Sequence, residues 1–170
     1  MKVYIMSTLS ASEWIEKLKL TRHPEGGWFR ETYRSARELP AEAIHQTAPR
    51  AVSTVIYFLL QHKESSHFHR IASDEHWFFH AGSPLSIHVL RASEPDYVCL
   101  NLGPESPQQW VPAKDWFAAE LQSSDPDAFV LVSCVVAPGF DFADFELARA
   151  DALSSDYPEH KALIQRLCLS

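Results

Sequence analysis

No pair of cysteines in this chain has the spacing of a metal clip or a disulfide staple. Cys99, Cys134 and Cys168 are widely separated and form no C-x-x-C, which argues for core thiols and against a disulfide framework or a zinc site. Cys99 and Cys134 lie within apolar, β-like runs, where a free cysteine behaves as a small hydrophobe. Positive charge is also in short supply. A formal charge of -7 and a pI near 5.7 speak against nucleic acid or an anionic membrane surface as partner, since a phosphate backbone demands a basic face. Long apolar runs are missing too. Ala51–Leu60 and Ala128–Ala137 are the longest, about half of the roughly 20 residues that span a bilayer. The start of the chain has one Lys2 and the short run Val3–Met6, less than the apolar region of about 7–15 residues in a secretory signal. No repeat, linker or low-complexity stretch is visible. These absences leave a soluble, cytoplasmic chain whose 170 residues, 46% of them apolar, suffice for one well-buried domain over residues 1–170.

What is present is β-patterned. Ser10 to Leu20 reads as a helix, with Ser10 and Glu13 as a capping box and Trp14, Ile15 and Leu18 as its buried stripe. The turn Thr21–Gly27 ends it, and Trp28–Ser35 follows as a strand with Trp28, Arg30, Thr32 and Arg34 on one face and Phe29, Glu31 and Tyr33 on the other. Arg30 and Glu31 on this aromatic strand are candidates to contact a polar ligand, or they form a surface ion pair. Residues 38–50 form a loop with a helical turn. Strands are then expected at Val52–Leu60, Leu85–Leu90, Asp96–Leu100 (after a turn at Ser93-Glu-Pro), Gln109–Val111, Trp116–Leu121 and Phe129–Val136, with helix again over 149–168. Val55, Tyr57, Leu59, Val130, Val132 and Val136 are expected in the core. About eight to ten short strands at hairpin spacing, with helix only at the two ends, describe an antiparallel sandwich or barrel.

Chemistry concentrates in Ser66-His-Phe-His-Arg-Ile-Ala-Ser-Asp-Glu-His-Trp-Phe-Phe-His80. Ser66–Arg70 and Glu75–His80 read as two strands around a turn. Alternation puts His67 and His69 on one face, and Glu75, Trp77 and Phe79 in one row of the next strand. Two imidazoles and a carboxylate above aromatic rings suit a divalent metal or proton transfer. His67, His69 and Glu75 are accordingly the candidate catalytic residues, and equally the candidate metal ligands. Trp77 and Phe79 would stack on a ligand or pack the core, and Gln108 is a further candidate polar contact.

His67-x-His69, Glu75 and, six residues on, Gly82 resemble the first motif of the cupin superfamily, G-x5-H-x-H-x3-4-E-x6-G. Gln61 stands at the leading glycine, and five residues separate His69 from Glu75. His23-Pro-Glu-Gly-Gly-Trp-Phe29, Ser73-Asp-Glu-His-Trp77, Gln108-x-x-Val-Pro112, Trp116 and Val136-Ala-Pro-Gly-Phe-Asp-Phe142 resemble one small cupin-like family of unsettled activity. The second cupin motif would begin at Pro112, where Lys114 replaces a glycine and Phe117 the third histidine. The resemblance implies an all-β double-stranded β-helix, or jelly roll, with an N-terminal helix and a C-terminal helical segment. It implies a small-molecule ligand and a homodimer. It also implies a sugar phosphate or sugar nucleotide epimerase or isomerase using His67 or His69 as base and Glu75 as an orienting or acid group. The alternatives are a ligand-binding or structural cupin, or a 2-His-1-carboxylate metalloenzyme. The cofactor is correspondingly none or a divalent metal, and with Phe117 in place of the third histidine the expectation is little or no metal.

Overall fold

The computed structural model describes residues 9–93 and 96–169; the run Val3–Met6 and the Glu94-Pro95 part of the expected hairpin turn lie outside them. Helix α1 (Ala11–Leu18) opens on the predicted capping box: the Ser10 amide donates to Glu13 Oε2 at 2.8 Å and the Glu13 amide to Ser10 Oγ at 3.4 Å. Short strand β1 (Thr21–Arg22) leads to β2 (Trp28–Arg34). A small ribbon of β3 (Glu38–Leu39) and β4 (Arg50–Ala51) flanks the single turn α2 (Ala41–Ile44). The strands that make the body are β5 (Thr54–Gln61), β6 (Ser65–Arg70), β7 (Asp74–Gly82), β8 (Leu85–Leu90), β9 (Tyr97–Leu102), β10 (Gln108–Val111), β11 (Trp116–Leu121) and β12 (Phe129–Ala137). An edge strand β13 (Glu146–Leu147) and helices α3 (Ala150–Asp156) and α4 (Lys161–Leu167) close the chain.

All pairings are antiparallel. One sheet runs β1-β2-β5-β12-β7-β10 and the other β13-β6-β11-β8-β9. Their inner faces share one core, with Phe58, Leu60, Trp77, Val130 and Val132 from the first sheet meeting Leu85, Ile87, Val89, Leu102 and Phe117 from the second. Helix α1 covers the outside of the first sheet through Trp14, Ile15 and Leu18 over Leu59 and Leu131. Helices α3 and α4 cover the second through Leu153, Ile164 and Leu167 over Phe68, Leu90 and Ala118. The all-β expectation, with short helices at both ends, describes this architecture.

The inner row of β5 is Thr54, Ile56, Phe58 and Leu60, with Val55, Tyr57 and Leu59 in the other row; Leu59, Val130, Val132 and Val136 are buried in the core as expected. Leu59 is buried, but in the outer cluster under α1, while Val55 and Tyr57 are half-buried. Both rows are apolar because both faces of the strand are covered over part of its length, so periodicity alone does not choose between them. Cys99 is exposed on β9, contrary to the core thiol expected, whereas Cys134 and Cys168 are buried.

The inner rows change character along the strands. Register pairs Val130 with Leu60 and Val132 with Phe58 at one end, then Cys134 with Ile56 and Trp77, and finally Val136 with Thr54 and Glu75. The interior is therefore apolar at the Leu60 end and polar at the Thr54 end. A cavity opens at that polar end.

Candidate functional site

Two β-bulges decide which side chains enter the cavity. On β6, Phe117 pairs with His69 and Ala119 with Ser66, so His67 and Phe68 together stand opposite the single residue Ala118. The extra residue shifts the alternation. Ser66 and His69 become the inward pair, 0% and 2% exposed, and Phe68 turns outward beneath α4. The expectation that His67 and His69 share a face is thus corrected. His67 is half-buried and does not line the cavity; its Nδ1–H donates to the Glu25 carbonyl at 2.6 Å.

The second bulge lies on β2, where Glu31 pairs with Ile56 and Tyr33 with Val55, leaving Thr32 as the extra residue. Phe29 and Glu31 face inward as expected. Beyond the bulge it is Arg34, not Tyr33, that faces the cavity, while Tyr33 is exposed. Arg30 is exposed, donating to the Leu18 carbonyl at 3.0 Å, and takes no part in the cavity lining. Gln108 is exposed on edge strand β10 and is also absent from the lining. Trp77 is 1% exposed and Phe79 is half-buried against the same core; neither lines the cavity.

The residue that sequence reasoning passed over is Glu25. It sits in the turn before β2, yet it is 7% exposed and reaches into the barrel end. Gly26 and Gly27 have φ of 110° and 69°, a region that favours glycine. A Cβ on Gly26 would lie 2.1 Å from the Ser65 carbonyl oxygen, so only glycine lets this turn approach β6. The Glu25 carboxyl accepts a hydrogen bond from Ser66 Oγ at 2.8 Å through Oε1. Its Oε2 lies 3.2 Å from His69 Nε2 and 3.4 Å from His23 Nδ1.

These contacts set protonation states. The His67 carbonyl only accepts, so His69 Nδ1, 2.8 Å away, carries the hydrogen. In the neutral ring Nε2 is then a bare acceptor aimed at Glu25. Likewise His23 Nδ1 accepts the Glu25 amide N–H at 3.3 Å. That bond uses the one lone pair of His23 Nδ1, so His69 Nε2 is the bare nitrogen, and its approach to Glu25 Oε2 calls for a proton on that oxygen. Burial favours the same state: it raises the Glu25 carboxyl, against the opposing pull of His23 and Ser66. It pulls the His69 imidazole down to about 4 and lowers His23 as well. Burial, with Glu25 nearby, raises Glu75 on β7 to about 8, and the Cys134 thiol beside it is raised further. At neutral pH the pocket thus holds a protonated Glu75 and neutral imidazoles.

The remaining lining is largely aromatic and aliphatic, with Phe29, Phe58, Phe140 and Phe142 around a cavity of ≈ 70 Å³. That is small beside the 300–1,000 Å³ usual for drug-sized ligands. A metal site of His67, His69 and Glu75 does not fit this geometry. His67 spends its Nδ1 on a backbone carbonyl outside the lining, and His69 Nε2 faces Glu25. Among the described residues no group of three His, Cys, Asp or Glu side chains is arranged to hold an ion.

The protonation pattern has a measurable consequence. Glu75 titrates near 8 in the folded chain against about 4.5 unfolded, so between these values the folded state binds the extra proton and stability falls as pH rises. His69, at about 4 folded against 6.5 unfolded, acts oppositely, losing stability as pH falls below 6.5. From pH 6.5 to 8 the Glu75 effect outweighs what remains of that opposition and amounts to on the order of 1–2 kcal/mol. Denaturant unfolding should show this decline in the wild type and a shallower one for Glu75→Gln, in which the raised Glu25 carboxyl remains. A stability that is constant or rising over this interval in the wild type would contradict the assignment.

Comparison with known proteins follows the same lines. The Cupin superfamily family designated DUF985 matches residues 12–148. An uncharacterized protein of Saccharomyces cerevisiae is 28% identical, over 84% of this chain and 77% of its own. A hypothetical protein from Leishmania major superposes with a TM-score of 0.85 at 34% identity, covering 95% of this chain and 100% of its own. A crystal structure of a Shewanella oneidensis protein gives 0.83 at 39% identity, covering 95% and 99%. Among the described residues no helix is long and apolar enough to cross a membrane.

Proposed function

This chain belongs to the DUF985 family of the cupin superfamily, and from that premise we propose that it is a small-molecule-binding cupin that moves protons on carbon, an isomerase or epimerase of a compact hydroxycarbonyl or oxo compound. One observation carries the reading. His69 Nε2 is a bare acceptor against Glu25, fixed as such by the bond from its Nδ1–H to the His67 carbonyl, and Glu75 lies in the same cavity.

The roles follow from that arrangement. A turn of the Glu25 carboxyl O–H away from His69 frees His69 Nε2. His69 then takes the proton from the carbon next to the substrate carbonyl, while Glu75 gives its proton to the carbonyl oxygen. The product of this step is the neutral enol. Return of a proton to the same carbon from the opposite face of the planar enol epimerises, and return to the neighbouring carbon isomerises. At pH 7 Glu75 still carries the proton an acid must give, and His69 is unprotonated and able to accept one. The ≈ 70 Å³ cavity favours a molecule of a few carbons over a sugar nucleotide. The setting we propose is a cytoplasmic homodimer.

The test is hydrogen exchange. Hydroxyacetone, glyceraldehyde and pyruvate incubated with the protein in D2O, followed by proton NMR, should show loss of the α-proton signal faster than the blank for at least one compound. Exhaustive chelation should leave that rate unchanged. Exchange abolished by a chelator and restored by a divalent ion would transfer the reading to a metalloenzyme. Binding without any exchange would make the protein a ligand-binding cupin.

A further inference from the structure

At the cavity mouth the β2 bulge brings Glu31 and Arg34 side by side. Arg34 Nε donates to Glu31 Oε1 at 3.0 Å and Nη2 to Oε2 at 2.7 Å, a two-pronged pairing of guanidinium and carboxylate. Nη1 donates to the Phe140 carbonyl at 3.0 Å, which holds the group against the segment that carries two of the lining aromatics. Among the described residues Arg34 is the one permanently cationic side chain lining the cavity. Its guanidinium has five N–H donors in a planar fork, so two remain beyond those used here. Without Thr32 as an extra residue, Tyr33 would occupy this inward place; re-aiming a side chain next to a site is a recurrent use of bulges.

Resting on the proton-transfer reading, we infer that Arg34 is the anion-reading residue of the cavity and that the substrate is a small oxo- or hydroxycarboxylate whose carboxylate takes the fork now held by Glu31. The Glu31 carboxylate shows the geometry the fork accepts, and a substrate carboxylate reproduces it atom for atom. With the carboxylate at the mouth, the carbonyl carbon of the same molecule points inward toward Glu75 and His69. Glu31 then becomes a competitor: it keeps Arg34 aligned in the empty cavity and yields it when the substrate arrives.

The competition makes the inference testable with pyruvate as probe and pyruvamide as its neutral counterpart, by calorimetric or NMR titration of the full chain near pH 7. Arg34→Gln should weaken pyruvate binding at least 10-fold and Arg34→Lys by less, with pyruvamide indifferent to both. Glu31→Gln, which leaves the Arg34–Phe140 contact in place, should tighten pyruvate binding several-fold, an outcome that loss of structure does not produce. Unchanged pyruvate affinity in Arg34→Gln, or weaker affinity in Glu31→Gln, would overturn the inference. So would Arg34-dependent binding of inorganic phosphate in the absence of pyruvate binding. Arg34-dependent binding with no α-proton exchange would leave the anion site standing and remove the proton-transfer reading. Exchange indifferent to Arg34 would do the reverse.

Discussion

Replacing His69 by Gln is expected to slow protein-dependent α-proton exchange by about 10²–10⁴-fold, the usual worth of a positioned general base. Gln keeps an N–H that can donate to the His67 carbonyl, so the local fold has a substitute for the 2.8 Å bond, but it offers no basic nitrogen to the cavity. Glu75→Gln should lose a comparable factor, because an amide donates a hydrogen bond without giving up its proton. His67→Gln is the informative contrast. On the alternating-strand reading His67 and His69 are equivalent; in the bulged strand His67 sits outside the lining with its Nδ1 committed to Glu25. We expect His67→Gln to change the exchange rate by less than either cavity substitution. Equal losses at His67 and His69 would sink the assignment of the base.

Trp77→Ala is expected to cost about 3–5 kcal/mol of stability, the range for removing a buried large aromatic. Trp77 is 1% exposed and meets Phe58 and Phe117 edge-on, with centroids 5.9 and 6.4 Å away. It is packed in the same inner row as Glu75, one step deeper, so the cavity wall rests on it. Its Nε1 is buried without a hydrogen-bond partner, a feature that penalises the folded state. Trp77→Phe removes that orphan along with part of the ring and should cost clearly less than Trp77→Ala. Thermal and denaturant unfolding distinguish the two. A small loss in Trp77→Ala, together with a large loss of ligand affinity in Trp77→Phe, would instead return Trp77 to the stacking role considered from the sequence.

The strands and the terminal helices were readable because their signals are local. A capping box at Ser10 and Glu13, alternation at Leu85, Ile87 and Val89, and turn residues between runs all act within a few positions. The cavity was readable in part: His69 and Glu75 line it, as does Glu31. What escaped is non-local or breaks the period. The bulges at His67-Phe68 and at Thr32 involve no glycine and leave no compositional mark, yet each moves the inward position by one residue. Arg34 was therefore assigned to the face of Arg30, and His67 to the face of His69. Glu25 was hidden in a segment that reads as a turn; the signal that bears on it is the Gly26-Gly27 pair, since consecutive glycines mark close backbone approach as well as turns. Cys134 was recognised as buried, but its place beside Glu75 depends on the β12–β7 register, which no single strand encodes.

The central claim is that this cavity keeps Glu75 protonated at neutral pH beside a neutral His69. Its most direct test is the carboxyl carbon itself, observed by NMR or infrared spectroscopy in protein labelled with carbon-13 at the glutamate side-chain carboxyls and assigned by comparison with Glu75→Gln. A protonated carboxylic acid signal that persists at pH 7, titrates near pH 8 and disappears in Glu75→Gln is the result predicted. A Glu75 carboxyl that is fully ionised at pH 6, with an ordinary titration near 4.5, would contradict it.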